Sequence, residues 1–72
     1  MRVRFIGVEF EVRDAEWEDP PKRDQWTGDE YVRGSAVRSS VADDGVAYSK
    51  GQLEWLPTRF CEVVPACSSA SG

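Results

Sequence analysis

Leu56-Pro57-Thr58-Arg59-Phe60-Cys61-Glu62-Val63-Val64 decides the fold class. The apolar residues from Leu53 to Leu56 read as a strand. Pro57 has no N–H to give to a ladder and ends it. Pro57-Thr58-Arg59 has room for one 3-10 turn and nothing longer. Phe60 to Val64 is then a last short strand, stopped by Pro65. A strand, a single tight turn and another strand make a β ending, in keeping with an all-β chain.

Upstream residues agree. Ile6, Val8, Phe10 and Val12 alternate with Gly7, Glu9, Glu11 and Arg13, the period of a half-buried strand. Val3 and Phe5 alternate in the other phase, and the two phases collide at Phe5-Ile6-Gly7. A bulge or bend at Gly7 within one long strand, Arg2 to Val12, reconciles them. Asp14 to Glu18 continues the alternation, with acids on one face. Asp19 to Gln25, with two prolines, is a loop. Trp26-Thr27-Gly28-Asp29 is a turn leading into the next element. Glu30 to Val41 reads as strand, because Val, Tyr and Ser form helices poorly and Gly34 interrupts, although Val37 and Val41 also carry helical spacing. Asp43-Asp44-Gly45 signals a tight hairpin, with Val46-Ala47-Tyr48 as its return strand, and Lys50-Gly51 a further turn.

Seventy-two residues make one domain. Such a chain buries only about 60% of the surface its unfolded form exposes, which leaves little room for a substrate cavity. Residues 1–65 carry the folding pattern, and 66–72, all small or polar, read as a disordered tail, of which Ser68 to Gly72 could be deleted with stability unchanged. Nine basic residues against thirteen acidic give a net charge of −4. That balance opposes duplex binding and favours basic protein partners or imitation of nucleic acid. Met1 to Ile6 is too short and too charged to be a signal peptide, so the expected compartment is the cytoplasm. In that reducing compartment Cys61 and Cys67 are expected as free thiols.

The chain has no His, which removes His-based triads, bases and metal ligands. It has no glycine-rich phosphate loop, and Asp43-Asp44 lacks the ligand run of a calcium loop. Two cysteines six residues apart match neither a structural zinc site nor a redox pair. The reading is therefore of a non-enzymatic chain with no metal and no cofactor.

The closing segment resembles that of SH3-like barrels: an apolar residue, Pro, a hydroxyl residue, a variable residue, an aromatic, and a short apolar strand. The resemblance implies a small barrel of about five antiparallel strands, with Phe60 plugging one end and anchoring the core. The chain looks like the very short SH3-like proteins of bacteria and their phages that end in Trp-Leu-Pro…Arg-Phe. It lacks the Ala-Leu-Tyr-Asp-Tyr segment and double Trp of peptide-binding SH3 domains, so a proline-peptide groove is not implied.

Two features offer a working surface. Asp14, Glu16 and Glu18 at period 2 would stand about 6.5–7 Å apart on one strand face, close to twice the ~3.4 Å phosphate step of a nucleic-acid strand. Such acids either keep an edge strand from pairing or form a stripe for a basic partner. Trp17 and Trp26 flank the proline loop, and with Glu18, Asp19, Lys22 and Arg23 they make a candidate patch. The expected site is thus Asp14, Glu16, Trp17, Glu18, Asp19 and Trp26. The expected function is protein binding, as a phage or mobile-element protein that inhibits a host defence protein from within the host cytoplasm. The alternative is a nucleic-acid-binding barrel using Arg2, Arg4, Arg33, Arg38 and exposed Trp.

Overall fold

A computed structural model describes residues 1–65. The expectations for the tail and for Cys67 lie outside the described residues.

Among these residues the fold is all-β and antiparallel apart from one helical turn and one 3-10 turn. Strands β1 (Arg2–Phe5) and β2 (Val8–Val12) form a hairpin in which Phe5 faces Val8. The single bulged strand expected here is therefore two strands. The phase change at Phe5-Ile6-Gly7 marks a full reversal. Ile6 and Gly7 take φ of 47° and 80°, the paired positive angles of a tight two-residue hairpin. Gly adopts that conformation freely, whereas β-branched Ile6 is strained in it.

Strand β4 (Glu30–Ala36) is the centre of the sheet. On one side it pairs with β2, from Phe10↔Ala36 to Val12↔Gly34, and further along with β3 (Lys22–Arg23). On the other side it pairs with β7 (Leu53–Pro57), from Tyr31↔Pro57 to Ser35↔Leu53. Strand wins over helix here because Val32, Gly34 and Ala36 all face the core at period 2. Gly34 is the close-approach point: a Cβ there would lie 2.6 Å from Leu56 Cδ1 and 2.9 Å from Phe10 Cβ. Strands β5 (Ser40–Val41) and β6 (Ala47–Tyr48) form a separate hairpin across Asp43-Asp44-Gly45, as the turn signal predicts. It covers the core by setting the Tyr48 ring edge-on to Phe10, with centroids 5.7 Å apart.

The 3-10 turn (Thr58–Phe60) follows β7, and β8 (Glu62–Val64) pairs with β1. The larger sheet runs β8-β1-β2-β4-β7, and β7 and β8 do not pair with each other. Among the described residues, eight short strands in two sheets replace the five expected, and the barrel is not closed.

Asp14–Glu18 is a single turn of helix, α1, not a continued strand. The pairing of β2 with β4 stops at Val12↔Gly34, although β4 continues, and the chain turns away there. Asp14 and Glu16 then lie in the first turn, where acids favour a helix start. The turn also sets Trp17 against the core.

The core is Val3, Val8, Phe10, Val12, Val32, Ala36, Ala42 and Leu56, with no buried polar side chain among the described residues. Phe60 does not plug it, being 64% exposed. The inward position after the 3-10 turn falls one residue later, on Cys61, which packs against the core and donates its thiol to the Pro57 carbonyl at 3.3 Å. Burial pushes that thiol up to about 11, which keeps it protonated at neutral pH.

Candidate functional site

The helical turn dissolves the acidic stripe. Successive residues on a helix turn by ~100°, so Glu16 points nearly opposite to Asp14 and Glu18. Each acid has its own surroundings. The Asp14 carboxylate accepts from the Met1 ammonium at 2.9 Å, which also reaches Glu11 at 3.1 Å. Glu16 is turned inward, with its side chain only 14% exposed. It accepts the Arg33 backbone N–H at 3.2 Å and the Arg33 guanidinium at 3.0 Å.

That pairing follows from the sheet. β2 pairs with β4 only as far as Gly34, and β3 begins at Tyr31. The N–H of Arg33 falls in the gap, and the Glu16 carboxylate takes the place of the missing strand. Arg33 holds the Glu16 carboxyl below its ordinary value, mainly through the side-chain hydrogen bond and then the backbone one. A depressed carboxyl stabilises the fold above its unfolded pKa, and that contribution is lost as pH falls through the folded value. Glu16→Gln is therefore expected to lower the urea midpoint at neutral pH. It should also make the midpoint fall less steeply on acidification than wild type, as read by circular dichroism at several pH values. An unchanged neutral midpoint would show that Glu16 is only a surface acid.

Trp17 is half-buried and packs on the core. Glu18 and Asp19 are exposed and have no ion-pair partner among the described residues.

Trp26 is 95% exposed, yet the loop beneath it is tied together by hydrogen bonds. Asp24 Oδ1 accepts the N–H groups of Trp26 at 2.8 Å and Thr27 at 3.2 Å. The Gly28 N–H donates to the Asp24 carbonyl at 2.8 Å, and the Asp24 N–H donates to the Asp29 carbonyl at 2.8 Å. The Asp29 carboxylate takes Arg59 at 2.7 Å, a contact that holds it below its ordinary value and ties the loop to the 3-10 turn. Arg23 pairs with Glu30 across the loop's base. These contacts fix the backbone and match most of the loop's charges internally, leaving the indole as the feature offered outward.

A second exposed region lies on the outer face of β4 and β7, where Leu53 is 67% and Trp55 43% exposed. Lys22 Nζ sits 5.1 Å from the Trp55 ring centroid, and Arg33 Cζ sits 5.9 Å from it. Beside it, an open groove of about 510 Å³ is lined by Val12, Arg13, Asp14, Glu16, Arg33 and Leu53 among others. The signal for this face was present in the sequence, since Leu53 and Trp55 share a phase opposite to buried Leu56.

All four arginines considered for phosphate contact face carboxylates. Arg2 lies 3.9 Å from Glu9 and 3.7 Å from Glu11, Arg4 2.6 Å from Glu62, Arg33 3.0 Å from Glu16 and Arg38 3.4 Å from Glu9. Among the described residues no three acidic or cysteine side chains converge on a metal-sized space. No helix among them is long and apolar enough to cross a membrane. No protein-family model, curated protein or solved structure matches the chain.

Proposed function

We propose that this chain is a non-enzymatic protein-binding module anchored by Trp26. One observation carries the reading: a Trp with 95% of its surface in water stands on a loop whose backbone is already fixed. Exposing an indole forfeits the gain of burying it. Fixing the loop beforehand removes the ordering cost of placing that ring in a partner's pocket. Glu18 and Asp19 are the free acids that would steer a basic partner, while Asp14 and Glu16 are engaged within the fold. The strand, 3-10 turn and strand ending is the feature shared with SH3-like barrels, and that resemblance is what supports a phage or mobile-element protein acting on a host defence protein. The nucleic-acid alternative has Trp55 beside Lys22 in its favour, and the carboxylate pairing of its arginines against it.

Two kinds of variant separate the roles. The partner is first captured from host lysate and purified, and its binding is followed by surface plasmon resonance. Trp26→Ala should raise the dissociation rate by ~30-fold, the equivalent of about 2 kcal/mol at an interface anchor, with the melting curve unchanged. Glu18→Lys with Asp19→Lys should slow association and flatten its salt dependence. A dissociation rate indifferent to Trp26→Ala would sink the proposal. A salt-dependent shift of DNA by the wild-type chain would favour the alternative.

A further inference from the structure

Among the described residues strand β7 is an open edge of the sheet, and its chemistry selects what can be added to it. The β4–β7 ladder is carried by even-numbered residues. Ala36 N–H donates to the Gln52 carbonyl at 2.9 Å, and the register continues through Gly34↔Glu54 and Val32↔Leu56. Bonding directions alternate along an antiparallel pair, so the N–H and C=O of Leu53 and Trp55 point away from β4. Neither N–H has a partner among the described residues. The next outward residue, Pro57, has no N–H, and its carbonyl accepts the Cys61 thiol. The edge thus offers two donors and two acceptors, at Leu53 and Trp55, and then stops.

The side chains narrow the occupant. On the outer face Leu53 and Trp55 are exposed and apolar. Between them Glu54 points to the opposite face. Its carboxylate accepts the Gln52 amide at 2.7 Å and has no cation within ion-pairing distance among the described residues. A second copy pairing antiparallel through all four free groups would set Leu53 opposite the copy's Trp55, and so Glu54 opposite the copy's Glu54. Like charges directly opposed across strands are destabilising. The same geometry favours a strand with a cation at that position.

We infer that β7 accepts an extended segment of a partner protein reading apolar–basic–apolar, with its basic side chain opposite Glu54. The segment adds as an antiparallel strand. Its backbone bonds to Leu53 and Trp55, and its apolar residues lie beside those two side chains. This surface is separate from Trp26 and has its own test.

The probe is the capped peptide acetyl-Thr-Val-Lys-Val-Thr-amide, titrated into the ¹⁵N-labelled chain, with a counterpart carrying Glu in place of Lys. The Lys peptide should slow amide exchange at Leu53 and Trp55, and the Glu peptide should bind about fivefold more weakly. Glu54→Gln, which keeps the side chain's shape, should erase that preference, and Glu54→Lys should reverse it. Equal affinity of the two peptides, or no change at either amide, would overturn the inference. So would a sedimentation result showing a dimer with both amides protected before peptide is added. Trp26→Ala should bind the Lys peptide as wild type does. Failure of the peptide with Trp26-dependent partner binding intact would therefore leave the proposed function standing.

Discussion

Phe10→Ala is expected to leave the chain largely unfolded at 25 °C, while Phe60→Ala melts within a few degrees of wild type. Phe10 is fully buried, touches the Tyr48 ring, and lies opposite Ala36 on β4 and Val3 on β1. Truncating a buried Phe costs about 3–5 kcal/mol. A chain of this length has roughly 4–11 kcal/mol in all, at about 0.05–0.15 kcal/mol per residue, and small domains sit at the lower end. The loss therefore takes most of the margin. Phe60 has 64% of its surface in solvent, and its contact with Arg59 is at the surface, 5.2 Å from guanidinium carbon to ring centroid. Its removal should cost about 0.5–1 kcal/mol. Urea denaturation followed by far-ultraviolet circular dichroism separates the two. Equal losses would mean that Phe60 turns inward in solution and takes the place the structure gives to Cys61.

The contrast between those two phenylalanines shows where the sequence could be read and where it could not. Alternation located Val8, Phe10 and Val12 in the core, because period 2 forces one face inward. Asp43-Asp44-Gly45 and Lys50-Gly51 located turns, because Gly45 and Gly51 supply the positive φ those turns need. Pro57 located the 3-10 turn, because a residue with no N–H ends a ladder. Phe60 was misplaced by one residue: the turn leaves Cys61 facing inward, and the larger side chain is an attractive but wrong choice for the core. Ile6-Gly7 was misread because a bulge and a two-residue reversal leave the same phase break. Only the cross-strand partners of Val3 and Val8 distinguish them.

The candidate surface divides in the same way. Trp26, singled out because it flanks the proline loop, lies in solvent. Asp14, Glu16 and Glu18 were misread because three acids at period 2 fit a strand face, whereas acids in a first turn equally favour a helix. What decides between them is tertiary: the gap on β4 at Arg33 that the Glu16 carboxylate fills. The Leu53–Trp55 edge depended on knowing that β7 has one neighbour and not two among the described residues.

The second large effect is expected at Gly34. Its φ is not among the positive ones, so the backbone itself would accept any residue. The constraint is space: a Cβ would meet Leu56 Cδ1 at 2.6 Å, Phe10 Cβ at 2.9 Å and Val12 Cγ2 at 3.4 Å. The Leu56 methyl can swing aside by changing rotamer. The Phe10 Cβ cannot, because it is fixed to β2, which is bonded to β4 at the Phe10, Glu11 and Val12 pairs. Gly34→Ala therefore has to push two strands apart and is expected to cost about 1–3 kcal/mol. The lower chain entropy of Ala in a strand returns roughly 0.5–1 kcal/mol. Gly34→Val has no such compensation on the same scale and should abolish the cooperative melt. Leu56→Val removes the nearer of the two obstacles, so combining it with Gly34→Ala should cost less than the sum of the single changes. The rescue should be incomplete, because Phe10 Cβ remains. Full additivity in the double mutant would show that Leu56 is not the group in the way. A Gly34→Ala variant more stable than wild type would show that β2, β4 and β7 approach each other less closely than these distances require.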